Sequence, residues 1–297
     1  MLRSRKTGYE LDQSPFYCLQ SKAKLARLLC LSLTKLKEFT LSEDMYVEKE
    51  IFNPERKKSR IVEKPKPELK RIQKRIEELL KQIKLPNYIH GPAKGHSYVS
   101  NAKAHLNSAV VRSLDIEKYF PSTTSKRVYW FFHKRMKCSS DVAGILTKLS
   151  TYKEHLPTGS PLSPILSYFA HIDMWEDIND IVESAGCTLT VYMDDVTISG
   201  NSVTGELIWQ IKKQFHRCGL RSNKKKEKYY VGKKSREVTG IIIQRNTLKT
   251  PNRQHKKMYN IRKQICVETD SKKYDKLTQR LRGLESQAQQ INKANDT

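Results

Sequence analysis

The chain has 297 residues with 56 Lys and Arg against 31 Asp and Glu, a formal charge of +25. That length can bury a full core, and no apolar run approaches the ~20 residues that span a bilayer. So large a positive excess points to a polyanionic partner, nucleic acid first, and it is concentrated: Lys212 to Lys263 holds 18 basic residues against Glu227 and Glu237.

In chain order, the basic start MLRSRKTGYELDQ has no apolar signal core behind it, which predicts a cytoplasmic, membrane-free protein. SKAKLARLLCLSLTKLKEF spaces Leu25, Leu28, Leu29, Leu33 and Leu36 as one helix, with Ser21 as its cap. MYVEKEIFNPERKKSRIVEKP reads as a hairpin with a basic turn around residues 53 to 58. PELKRIQKRIEELLKQI puts Leu69, Ile72, Ile76, Leu79, Leu80 and Ile83 on one helical face between Pro67 and Pro86. HGPAKGHSYVSNAKAH reads as a loop and VVRSLDI as a strand, after which a helix starts near Thr124. LSPILSYFAHIDMWEDINDIVESA is a long helical stretch and TLTVYMDDVTIS a hairpin. ELIWQIKKQFHRCGL is a further helix, EVTGIIIQRNTLKT a hairpin turning at Arg245-Asn246, and the C-terminal fifth is helical and basic. The pattern is α+β. Six cysteines without a CxxC pair read as free thiols of a reducing compartment, not as a zinc site.

The hairpin TVYMDDVTIS sets Asp194 and Asp195 in an apolar, β-branched surround without a basic neighbour. Buried charge needs a partner. Asp115 ends another apolar strand 79 residues earlier, and between them stands the Gly/Pro loop LPTGSPLSPILSYF. Two strands presenting Asp115 beside Asp194 and Asp195 make an anionic pocket of hard oxygens suited to Mg²⁺, with Mn²⁺ as substitute. Two such ions ~4 Å apart assist an attacking hydroxyl and a departing pyrophosphate. Turn or cap carboxylates are the bland alternative.

Strand-Asp-x4-Phe, Pro-x-Gly-x-Pro-x-Ser-Pro and Tyr-x-Asp-Asp, in this order, resemble the palm of reverse transcriptases. RIVEKPKPELKRIQKRI looks like that family's first fingers block, GLRSNKKKEK its later Gly-Leu…Asn-x-Lys block, and EVTGIII its primer-supporting hairpin. The matched blocks run from about residue 46 to 250. NAKAH (Asn101 to His105) and Val238-Thr239-Gly240 resemble the signatures of the retron group. Thr158 and Ser167 depart from the Gln and Asn that family members often carry, which puts the fine templating contacts in doubt.

The resemblance implies a right-hand polymerase: an N-terminal helical region at 1–39, fingers at 40–110, a palm at 111–240 and a basic helical thumb at 241–297. It implies that Asp115, Asp194 and Asp195 hold two Mg²⁺ ions, with Asp195 the most dispensable. Phe120 would lie under the incoming sugar and exclude a 2′-hydroxyl; a core phenylalanine is the other reading. Tyr192 and Met193 would touch the primer end, unless Met193 simply packs. Pro157, Thr158, Gly159, Pro161, Ser163 and Pro164 would cover the template–nucleotide pair, Gly159 by close approach to a base, against an ordinary helix entry. Arg60 and Lys64 would clamp the triphosphate, or form a solvated basic face. One of Lys224, Lys225 and Lys226, with Lys224 placed at the nucleotide, would protonate the pyrophosphate. Asn101, His105, Val238, Thr239 and Gly240 would serve RNA recognition, against a structural histidine. Tyr229, Tyr230, Tyr259 and Tyr274 would offer stacking surfaces among the basic residues.

By resemblance the enzyme copies a cognate structured non-coding RNA from dNTPs in the bacterial cytoplasm, priming at a guanosine 2′-hydroxyl. The product is a branched RNA–DNA hybrid (msDNA), and a separate effector protein completes an antiphage system. Two rivals stay open: a reverse transcriptase of the intron or abortive-infection kind, and an RNA-binding scaffold in which catalysis is secondary.

Overall fold

The computed structural model describes residues 8–53, 58–232 and 235–296. Its elements run α1 (Lys22–Leu28), α2 (Leu33–Leu41), β1 (Tyr46–Asn53), β2 (Lys58–Pro65), α3 (Pro67–Leu80), α4 (Tyr98–Lys103) and β3 (Val110–Asp115). Then come α5 (Tyr119–Ser122), α6 (Ser125–Trp130), α7 (Ser140–Ser150), α8 (Ser163–Ala170), α9 (Ile172–Ser184), β4 (Thr188–Tyr192) and β5 (Asp195–Gly200). The chain closes with α10 (Gly205–Arg217), β6 (Lys228–Val231), β7 (Arg236–Val238), β8 (Ile241–Gln244), β9 (Thr247–Lys249), α11 (Asn252–Val267) and α12 (Ser271–Lys293). Helices and antiparallel sheets mix throughout, an α+β fold. Among the described residues no helix is long and apolar enough to cross a membrane.

Three expectations change. The single N-terminal helix is two: Ser21 caps α1 through the Lys24 amide, but Cys30 turns to φ 57° and Ser32 caps α2 afresh. The long helical stretch of residues 162–185 also breaks, at His171, into α8 and α9. NAKAH lies mostly in α4 rather than in a loop, because Ser97 and Ser100 form a reciprocal capping box. The basic turn of the first hairpin falls at residues 54–57, outside those described.

Two compact units interleave in sequence: Met1–Asn87 with Ile116–Asn179 and Gln210–Ser222, and Tyr88–Asp115 with Asp180–Trp209 and Asn223–Thr297. In the first unit, β1 and β2 pair from Tyr46↔Pro65 to Asn53↔Lys58. Beside them, α3 buries Leu69, Ile72, Ile76 and Leu80, the stripe its spacing predicts. Trp175, Phe131, Phe132, Phe169 and Phe215 are fully buried in the same unit.

In the second unit β4-β5-β3-β6 form one antiparallel sheet and β7-β8-β9 another. Arg245 and Asn246 both take positive φ in the turn from β8 to β9, as do Thr239 and Gly240 in the turn from β7 to β8. Such paired left-handed residues close two-residue hairpins. Val99, Ala102, Val111, Val238, Ile241, Ile243, Leu248 and Ile291 share one core, so the last helix is anchored where the β7–β9 sheet packs. Asn295 adds hydrogen bonds to the Leu248 amide and carbonyl at 2.8 and 3.0 Å.

Candidate active site

The central sheet of the second unit assembles the carboxylates. β3 and β5 run antiparallel with Asp115 directly opposite Asp195, and Tyr192 faces Asp195 from β4. Met193 and Asp194 form the two-residue turn, Met193 at φ 57°. Residues 88–91 brace that turn: the Val191 amide donates to the Tyr88 carbonyl at 2.8 Å, and the His90 amide donates to the Val191 carbonyl at 2.8 Å. Gly91 then lies so near that a Cβ there would be 2.5 Å from the Met193 nitrogen. Only glycine fits.

Asp115 is buried, while Asp194 and Asp195 are half-exposed. Burial first, then the charges of Asp194 and Asp115, push the Asp195 carboxyl up to about 6. Burial also holds Asp194 above the usual carboxylate range, and the Asp115 charge adds to this. Among the described residues Lys226 answers with a direct contact, its Nζ 2.7 Å from Asp115 Oδ2, and the charge of Lys228 acts on Asp195 in the same sense. The position of Lys226 follows from a short helical turn, Lys224–Lys226, that Asn223 caps, with the Asn223 amide bonded to the Asp115 carbonyl at 2.7 Å. All three lysines of this turn are exposed, but it is Lys226 whose ammonium is held at Asp115, so Lys226, not Lys224, is the lysine brought to the carboxylates.

Among the described residues no three His, Cys, Asp or Glu side chains already converge as a cation cage. The donor chemistry nevertheless fits a divalent cation. Three carboxylates meet at one sheet end, and two of them are held above the usual carboxylate range, by burial first and then by neighbouring carboxylate charge that Lys226 offsets in part. Hard oxygens in that condition suit a divalent cation.

The first unit assembles the other expected residues. Arg60 and Lys64 are exposed on β2. Phe120, on α5, is half-buried with its ring 6.1 Å from that of Tyr119. The loop from Pro157 to Pro164 turns its Ser163 hydroxyl inward onto the Pro157 carbonyl at 2.7 Å. Ser163 and Pro157 are buried, which corrects their expected contact with template or primer; they shape the loop from inside. Thr158, Gly159, Pro161 and Pro164 are the half-exposed members. Gly159 approaches protein, not open space: a Cβ there would lie 2.5 Å from the Glu63 carbonyl oxygen.

Asn101 and His105, expected at RNA, are inside the second unit. The His105 ring bonds Ser199 Oγ and Thr190 Oγ1, both at 2.7 Å, tying α4 to the hairpin that ends in the aspartates. Burial drives its pKa down to about 3, so it is neutral. Asn101 Nδ2 donates to Thr239 Oγ1 at 3.4 Å, and Thr239 Oγ1 donates to the Tyr98 carbonyl at 3.0 Å. The NAKAH and Val-Thr-Gly segments therefore meet. Any part these two buried side chains take in RNA recognition runs through the backbone they hold. Val238 is buried in the same core, whereas Tyr229, Tyr259 and Tyr274 are exposed and Tyr230 packs against the core.

Asp115 and Asp195 opposed on adjacent antiparallel strands, Asp194 in the β4–β5 turn and Lys226 on Asp115 make an arrangement of the kind that suits metal-assisted nucleotidyl transfer. Comparison with known sequences narrows it. The family described as "Reverse transcriptase (RNA-dependent DNA polymerase)" matches residues 48–243, and the chain belongs to that family. It is similar to the retron Se72 reverse transcriptase of Salmonella heidelberg (strain 579083-10), 29% identical over 79% of this chain and 65% of that protein. The retron Ec86 reverse transcriptase of Escherichia coli is 29% identical over 63% of this chain and 59% of its own length. For the retron Mx162 reverse transcriptase of Myxococcus xanthus the values are 29%, 61% and 42%. The matched region covers less than two thirds of each of these relatives.

Proposed function

We propose that this protein is an RNA-directed DNA polymerase of a retron, copying a cognate structured non-coding RNA. The observation that carries the reading is Asp115 opposite Asp195 with Asp194 in the turn, in a chain of the reverse transcriptase family. Asp115 and Asp194 would hold Mg²⁺, with Asp195 beside them. Bound there, Mg²⁺ supplies charge stabilisation to the phosphoryl oxygens and acidifies the attacking hydroxyl.

The chain's own residues do the rest. Tyr192 and Met193 seat the primer end, while Arg60 and Lys64 bind the triphosphate by charge-assisted hydrogen bonds. Phe120 excludes ribonucleotides by contact. The primer hydroxyl gives its proton to water as its oxygen bonds the α-phosphorus, the bond to pyrophosphate breaks, and Lys226 delivers a proton to the leaving group. The exposed tyrosines and lysines of α11 and α12, among them Tyr259 with Lys263 Nζ 4.8 Å from its ring centre, suit a structured RNA.

The retron relatives support a finer reading: priming from a guanosine 2′-hydroxyl, an msDNA product, and a separate effector in an antiphage system of the bacterial cytoplasm. Incubating the protein with RNA transcribed from its own neighbourhood, dNTPs and Mg²⁺ tests this. Branched DNA, sensitive to a 2′–5′ debranching enzyme, is the expected product. RNA binding without any DNA would leave only the scaffold reading.

A further inference from the structure

Glu63 on β2 is buried, at 8% exposure, yet carries a carboxylate and lies in a hairpin whose Glu48, Lys49, Glu50, Arg60 and Lys64 are exposed. Its carboxylate, amide and carbonyl all bond the loop 92 to 96 residues away. Its Oε2 accepts the Thr158 amide at 3.2 Å and its Oε1 accepts His155 Nε2 at 2.9 Å. Its own amide donates to Thr158 Oγ1 at 3.2 Å, and its carbonyl accepts the Gly159 amide at 3.0 Å. Thr158 Oγ1 also reaches the Ile61 carbonyl at 3.3 Å. A second fastening lies behind the first: Ser160 Oγ donates to Gln73 Oε1 at 2.7 Å, and Gln73 Nε2 donates to the Tyr46 hydroxyl at 2.7 Å and the Leu149 carbonyl at 2.9 Å.

An apolar side chain would fill the Glu63 position at lower cost than a desolvated carboxylate. The charge is retained with its acceptors spent on loop donors, and the loop contributes a glycine at the one place where a Cβ would meet the β2 backbone. Both features serve register between β2 and residues 155–160. Arg60 and Lys64 stand on that same strand, three before and one after Glu63, and the Lys64 Cγ lies 3.1 Å from the Cβ position of Gly159. Displacing the loop from β2 therefore moves the surface that carries both cations relative to Thr158 and Gly159.

We propose that Glu63, clasped by Thr158, Gly159 and His155, is a positioning residue for the incoming nucleotide. It sets the distance between the cationic hairpin and the loop without touching the nucleotide. Thr158, which departs from the Gln often found in the family, thereby acts as a latch to β2. The inference rests on the polymerase reading for its ligand.

The test is equilibrium dNTP binding, with Mg²⁺, to the full chain on an RNA template whose DNA primer ends in a dideoxynucleotide, so no chemistry intervenes. Glu63→Ala and Thr158→Val should each weaken dNTP binding about tenfold, and the double variant should be no worse than the weaker single. Thr158→Ser should recover most of the loss, and RNA affinity should hold within twofold. Amide exchange at residues 158 and 159 should rise in Glu63→Ala; if that variant folds poorly, Glu63→Gln and His155→Ala are read the same way. Nucleotide affinity within twofold of wild type, or equal losses of RNA and dNTP binding, overturns the proposal. Wild type that binds dNTP but never extends a normal primer refutes the polymerase reading alone, and wild type that binds no dNTP overturns both.

Discussion

Gly91→Ala isolates the geometry of the aspartate turn from its chemistry, because residue 91 touches the turn only through backbone. A Cβ built there lies 2.5 Å from the Met193 nitrogen, and ordinary contact begins at 3.4 Å, so one side must move by about 0.9 Å (3.4 less 2.5). The obstacle is main chain on both sides, held by the bonds between residues 88–91 and Val191, so no flexible side chain absorbs the shift. Displacements on the order of 1 Å near reacting groups cost about 100-fold in rate. Overpacking of this kind costs about 1–3 kcal/mol of stability, which leaves a folded protein. Single-nucleotide extension under saturating dNTP should therefore fall about 100-fold in Gly91→Ala, with RNA affinity unchanged and a modestly lower melting temperature. Extension within threefold of wild type in a folded variant would refute the claim that residues 88–91 hold the turn in place.

Three further outcomes follow from single side chains. His105 is neutral in the fold, with its pKa depressed to about 3, against about 6.5 unfolded, so the unfolded chain takes up the proton and stability falls as pH drops below about 6.5. That amounts to about 1.3 kcal/mol between pH 7 and 5.5; urea midpoints of His105→Gln should lose this slope, and an unchanged slope would contradict it. Lys226→Met removes the ammonium on Asp115, so calorimetric Mg²⁺ affinity should rise about two- to fivefold, the range an exposed ion pair allows; weaker binding would count against competition between lysine and metal. Phe120→Ala should raise ribonucleotide use relative to deoxynucleotide by at least tenfold in competition assays, and an unmoved ratio would make Phe120 a packing residue.

The local parts of this molecule were readable and the non-local ones were not. Alternating apolar residues around Asp115 and the two-residue turn at Met193 and Asp194 are local patterns, and β3, β4 and β5 follow them. The Arg245-Asn246 hairpin is legible for the same reason. The break between α1 and α2 depends on Cys30 entering a left-handed conformation, which its residue type disfavours, so leucine spacing alone hid it. Glu63 is silent in the sequence because its partners stand 92 to 96 residues away and nothing in RIVEKP marks a buried carboxylate. Lys226 could not be told from Lys224 and Lys225 by composition; the capped turn at Asn223 selects it. Asn101 and His105 were visible as a pattern whose placement, buried against Thr239, Ser199 and Thr190, requires three dimensions.

Asp194 as the cation-holding carboxylate of the proposed polymerase is reached most directly by one comparison. Wild type and Asp194→Asn are given the same RNA template, annealed DNA primer, labelled dNTP and Mg²⁺, and both incorporation rate and RNA affinity are measured. Loss of one ligand charge raises the barrier by several kcal/mol, on the order of a thousandfold or more in rate. The prediction is incorporation by wild type, a loss of that size in Asp194→Asn, and RNA affinity within twofold. Incorporation by Asp194→Asn within tenfold of wild type would contradict the assignment of this turn as the catalytic centre.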